Sequence, residues 1–83
     1  MENITVKEIL KKIQSYANYH KVTLVNCRDE KIVELYLDMY RFNYRDILPP
    51  EIEEYAECEI EDFLVFANLG GAITVADITI YLP

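Results

Sequence analysis

Residues 32–40 read Ile-Val-Glu-Leu-Tyr-Leu-Asp-Met-Tyr, and from Val33 onward they alternate without a break. Val33, Leu35, Leu37 and Met39 fall on one side of an extended chain, and Glu34, Tyr36, Asp38 and Tyr40 on the other. Period two over this length marks a half-buried strand, so it predicts a sheet with one face in a core and one face open. Just upstream, residues 21–27 (KVTLVNC) are also β-branched and alternating, and Arg28-Asp29-Glu30-Lys31 is a polar turn between the two runs.

Outward from this pair, the chain punctuates itself. Thr5-Val6-Lys7-Glu8 fits a capping box, with Ile4 and Ile9 placed as a hydrophobic staple. Val6, Ile9, Leu10, Ile13 and Ala17 recur at helical spacing opposite Lys7, Lys11, Lys12 and Gln14, which predicts an amphipathic helix ending near Tyr19. Downstream, residues 41–56 break the alternation. Pro49 and Pro50 set the start of a short helix over EIEEYA, with Ile52 and Tyr55 or Ala56 inward. Residues 57–67 are expected as a third strand, Asn68-Leu69-Gly70-Gly71 as a hairpin loop and residues 72–82 as a fourth strand. The expected fold is α+β in the order α-β-β-short α-β-β: an N-terminal helix packed on a four-stranded antiparallel sheet, one domain over residues 1–83.

Composition narrows the class. A hydrophobic content of 52% is too high for a disordered acidic tail. No apolar run reaches the roughly 20 residues of a membrane span, so no membrane association is expected. The opening MENITVKEIL has no basic region followed by an apolar stretch, so a signal peptide is not expected. Cys27 and Cys58 both fall in predicted strands, where they should behave as small buried apolar residues with reduced thiols. The expected location is cytoplasmic.

The charges are sorted along the chain. All eight Lys and Arg residues lie within residues 1–45, while residues 46–83 carry nine acids and no base. Seven of those acids fall between Glu51 and Asp62. Strand periodicity then assigns the open face: Glu34, Tyr36, Asp38 and Tyr40 from the second strand, Glu57, Glu59 and Glu61 from the third, and Asp77, Thr79 and Tyr81 from the fourth. Cys58, Ile60 and Leu64 should point inward, as should Ile78, Ile80 and Leu82. One use of such a face is solubility alone. The other is binding, because Tyr is rigid, amphipathic and enriched at interfaces, and a like-charged sheet carries a repulsion that asks for a reason. Alternate strand residues repeat at about 6.6–6.8 Å, so a row of carboxylates can stand in for a run of phosphates. The same charge makes direct nucleic-acid binding unfavourable, since that requires Lys and Arg against phosphates.

Catalytic signatures are absent from the sequence. His20 is expected to close the helix and interact with its dipole, without an Asp or Ser partner by spacing. The two cysteines are expected inside, away from any base, and exposed carboxylate clusters are a poor acid–base pair. There is no calcium loop, zinc spacing or Gly-rich phosphate loop, so no cofactor and no specific metal are expected.

The layout resembles that of small phage- and mobile-element-encoded proteins. The likeness is carried by the short helix TVKEILKKI, the hairpin, the step Ile47-Leu48-Pro49-Pro50-Glu51-Ile52 and the closing strand Ile78–Leu82. Some acidic proteins of this size from such sources are anti-CRISPR or other anti-defence inhibitors, several of them DNA mimics. The resemblance implies an inhibitor but carries over no functional residue, and the acidic stretch before the last strand departs from the commoner pattern. Three roles follow: an inhibitor that occupies a basic, nucleic-acid-binding surface of a host protein, a small assembly protein acting as a homodimer, or a small-ligand sponge.

Overall fold

Thr5 opens the first helix through the expected capping box. In the computed structural model, which describes residues 4–13, 17–41, 43–44, 48–68 and 74–83, the Glu8 amide donates to Thr5 Oγ1 at 3.3 Å. The Thr5 amide donates in return to Glu8 Oε1 at 3.1 Å. Helix α1 spans Val6–Lys12, with Ile13 as its C-cap. Val6, Ile9, Leu10 and Ile13 are buried, while Glu8, Lys11 and Lys12 are exposed. Gln14 and the rest of residues 14–16, through which the helix was expected to continue, lie outside the described residues.

The helix does not reach Tyr19. Strand β1 covers Tyr19–Val25 and so begins two residues earlier than the alternation suggests. The Tyr19 amide donates to the Thr74 carbonyl at 3.1 Å, and His20 stands in register between Leu37 and Ala76 on two neighbouring strands. Ladder pairing on both sides outweighs local helix propensity here. His20 is consequently buried within the sheet and not at a helix terminus.

Strand β2, Lys31–Asp38, closes the hairpin with β1. The Asn26 side chain organises the turn by accepting from the amides of Arg28 and Glu30 at 2.9 and 3.1 Å, and Asp29 takes a positive φ of 61°. The register shifts between Leu24 and Val25, which leaves Ile32 without a partner across the ladder. Helix α2, Pro50–Glu53, starts at the prolines as expected, with Ile52 and Ala56 buried. Strands β3, Asp62–Asn68, and β4, Val75–Tyr81, form the second hairpin. The expected loop at 69–71 and the first two residues of the expected fourth strand lie outside the described residues.

The sheet order is β2-β1-β4-β3, and it is mixed. Both hairpins are antiparallel, but β1 and β4 run parallel, which corrects the all-antiparallel expectation. Hairpin geometry follows from local turns; the seam between hairpins does not. The two most deeply buried strands meet at the centre, and the connection through α2 brings them there in parallel. One face of the sheet supplies Val22, Leu24, Leu37, Ala76, Ile78 and Ile80 to a buried cluster that also holds Val6, Ile9, Leu10 and Ile13 of α1, with Tyr44 and Ile52.

Residues 57–61 are not part of β3. They form a strap along the start of α1 instead. The Val6 amide donates to the Cys58 carbonyl and the Lys7 amide to the Ala56 carbonyl, both at 3.0 Å, while the Ile60 amide donates to the Ile4 carbonyl at 2.9 Å. Thr5 and Glu59 form an antiparallel bridge. The first amides of a helix have no partner inside it, and the strap supplies their acceptors. Cys58 in this strap and Cys27 in the hairpin turn are both free and exposed, contrary to the expectation of buried strand cysteines.

Candidate binding face of the sheet

The sheet face opposite the buried cluster is laid out in rows by the strand register. Asp38, Tyr19, Val75 and Asn68 align across β2, β1, β4 and β3. Tyr36, Lys21, Asp77 and Phe66 form the next row, and Glu34, Thr23, Thr79 and Leu64 the third. Val25, Tyr81 and Asp62 make the last, with Lys31 opposite Val25. Large apolar surface is open on both flanks: Tyr36 is 73% exposed on β2, and Leu64 and Phe66 are 45% and 68% exposed on β3.

Among the described residues, three shallow grooves run over this face. One is lined by Tyr19, Tyr36, Leu37, Asp38 and Val75. A central one includes Lys21, Thr23, Lys31, Asp77, Thr79 and Tyr81. The third, lined by Glu61, Asp62, Leu64 and Tyr81, joins the face to the end of the acidic strap.

Its charges are mixed, with unpaired acid among the described residues toward the Glu61–Asp62 corner. The Lys21 ammonium lies 5.8 Å from the Tyr36 ring centroid, a cation–π distance, and occupies the middle of the face. Lys31 Nζ donates to Glu34 Oε2 at 3.1 Å, and that hydrogen bond, with the charges of Lys31 and Lys21, holds the Glu34 carboxyl below its ordinary pKa. Arg41 pairs with Asp38 at 3.9 Å. Both ion pairs are largely exposed and contribute little to stability. Among the described residues, Glu57, Glu59, Glu61, Asp62 and Asp77 make no ion pair within 4 Å.

Of the residues expected on the open face, Glu34, Tyr36, Asp38, Asp77, Thr79 and Tyr81 are there. Tyr40 sits just past β2 in a turn, 77% exposed, where its amide donates to Asp38 Oδ1 at 2.9 Å. Glu57, Glu59 and Glu61 are exposed but belong to the strap and not to a strand row. The phase of β3 is the reverse of that expected: Asp62, Leu64 and Phe66 face outward, while Phe63 and Val65 share the side of Ile80 and Ile78. Leu64, Phe66 and Asp62, with Tyr19 and Lys21 of β1, are among the outer-face residues the alternation missed. Phe63-Leu64-Val65-Phe66 is apolar on both sides, so it carries no period from which to set the phase. Counting outward from Asp62 would have set it.

The inner side holds a polar pair. His20 Nδ1 and the Tyr44 hydroxyl are 2.7 Å apart, both residues fully buried, and among the described residues His20 Nε2 has no hydrogen-bond partner. Among the described residues no group of three or more His, Cys, Asp and Glu side chains is placed to hold a metal ion, and no helix is long and apolar enough to cross a membrane. No protein-family model matches this chain, and no curated protein or solved structure does so either.

Proposed function

We propose that this chain is a non-enzymatic binding protein whose outer sheet face, continued by the acidic strap, docks on a basic surface of another protein. The supporting observation is the company of the exposed apolar groups. Tyr36, Leu64 and Phe66 are open to solvent on one face, bordered by Asp38, Glu34, Asp77 and Asp62. Rigid aromatic groups ringed by charge are the composition of an interface, with the rings as anchors and the carboxylates as a steering rim. A solubilising face has no use for a phenylalanine that is two-thirds exposed.

The charge selects the partner class. A chain with a net charge of −7, whose strap carboxylates make no ion pair among the described residues, is drawn to basic surfaces, and the commonest basic surfaces are those made for phosphates. The chain would then act as an inhibitor by occupying a nucleic-acid site. Its resemblance in layout to small phage- and mobile-element-encoded proteins, some of which are anti-defence inhibitors, makes host defence proteins the class to test first.

The test is capture from host lysate at low and high salt, followed by titration of each captured protein with and without duplex DNA. Wild-type chain should bind more weakly as salt rises and should be displaced by DNA. Tyr36→Ala should reduce affinity about tenfold or more, as expected for an interface anchor, with the circular dichroism spectrum unchanged. Binding indifferent to salt, to DNA and to Tyr36→Ala would refute the proposal.

A further inference from the structure

The sheet has two edges, and only one is protected. Edge strands invite pairing with another chain and are normally blunted by charge, proline or a bulge. Strand β2 is blunted on those terms: Lys31, Glu34 and Asp38 run its length and a register shift interrupts it at Ile32. Strand β3 is not. Its sequence, Asp-Phe-Leu-Val-Phe-Ala-Asn, has a single charge at the first position and no proline, glycine or bulge. From Asp62 to Ala67 every side chain except the half-buried Val65 is exposed.

We infer that β3 pairs with β3 of a second copy, antiparallel and centred on Val65, to make a continuous eight-stranded sheet. The register matches itself. About Val65, Leu64 meets Phe66 of the partner on the outer face twice over, and Phe63 meets Ala67 on the inner side. Asp62, the one charged residue, meets the uncharged Asn68. Cross-strand pairing of an aromatic with an aliphatic side chain is favourable, and no like charges stand opposite each other.

Charge also decides the direction. The strap acids Glu57, Glu59 and Glu61 lead directly into Asp62 at the start of the strand. A parallel pair would set the two straps side by side. The antiparallel pair separates them by the strand length, roughly 20 Å for seven residues, which is well beyond the roughly 8 Å screening length at physiological salt. A two-fold axis through Val65 keeps both outer faces on the same side of the sheet, so the surface described above is doubled and not covered. One strand edge per copy is a small contact, and a concentration-dependent dimer follows from it.

Sedimentation of the purified chain alone tests this without any binding partner, so its outcome is independent of the proposed function. The chain should move from 9.8 kDa toward twice that mass as concentration rises. Phe66→Lys should weaken the dimer at least tenfold, as should Leu64→Glu, a second exposed position should the first variant melt early. With Cys27 and Cys58 changed to Ser, the double variant Leu64→Cys/Phe66→Cys should cross-link to a covalent dimer under mild oxidation, since adjacent antiparallel positions suit a disulfide and neighbours two apart in one strand do not. A chain that stays monomeric up to its solubility limit would overturn the inference. So would a dimer untouched by both charge variants, or a double-cysteine variant that never cross-links.

Discussion

His20 shows how much one buried group can reveal. Both it and Tyr44 are fully buried, and beyond the 2.7 Å contact of Nδ1 with the Tyr44 hydroxyl, Nε2 has no partner among the described residues. Burial lowers the imidazole pKa from its ordinary 6.5 and raises that of the Tyr44 phenol, so both are neutral in the fold. The sign of the pH effect follows. In the unfolded chain His20 takes up a proton near pH 6.5, whereas in the folded protein it does so only at lower pH. The unfolded state therefore binds more protons in that window, and stability falls as pH drops below about 6.5. Urea unfolding at pH 7.5 and 5.5 should show this loss, and His20→Leu should reduce it while its midpoint at pH 7.5 changes less. A wild-type midpoint that does not move between those values would mean that His20 is not buried as described.

At the scale of elements, the strap is the feature to test, because the same residues were expected in a strand. If residues 57–61 lie along α1, Cys58 is open to solvent, and so is Cys27 in the hairpin turn. Both thiols should react with a water-soluble disulfide reagent in native buffer without denaturant, and Cys27→Ser/Cys58→Ser should melt within a degree or two of wild type. Protection of Cys58 until unfolding would return it to a strand. What was legible in the sequence was local. The capping box at Thr5 and Glu8, the proline start of α2, the polar turn through Arg28–Glu30 and the alternation of β2 each rest on contacts a few residues apart. What was not legible depends on distant partners. Glu57, Cys58 and Glu59 alternate as a strand would, but their segment runs along the start of α1, where the Cys58 and Ala56 carbonyls accept from the Val6 and Lys7 amides. The doubly apolar run Phe63–Phe66 hides the phase of β3, and nothing near β1 or β4 in sequence tells that they pair in parallel. Seven of the ten residues first placed on the open face keep a place on or beside it, and the three strap glutamates do not.

For the whole molecule, charge segregation and the outer face belong to one account. The strap acids sit at the rim, exposed and without ion pairs among the described residues, where charge governs encounter more than residence. Changing Glu57, Glu59 and Glu61 together to Gln should therefore slow association with a captured basic partner several-fold, leave dissociation nearly unchanged and flatten the salt dependence. Stopped-flow association at two salt concentrations measures this, and an unaltered rate would reduce the strap to a solubilising segment. The central claim is that the row Tyr36, Lys21, Asp77 and Phe66 is where the partner sits. Amide chemical-shift mapping of the labelled chain against that partner tests it most directly. The account predicts that the largest changes gather on β2, β1, β4 and β3 along that row and at the Tyr81–Asp62 end of the face, while Lys7, Lys11 and Lys12 on α1 stay where they are. Changes concentrated on α1, with the outer face silent, would contradict it.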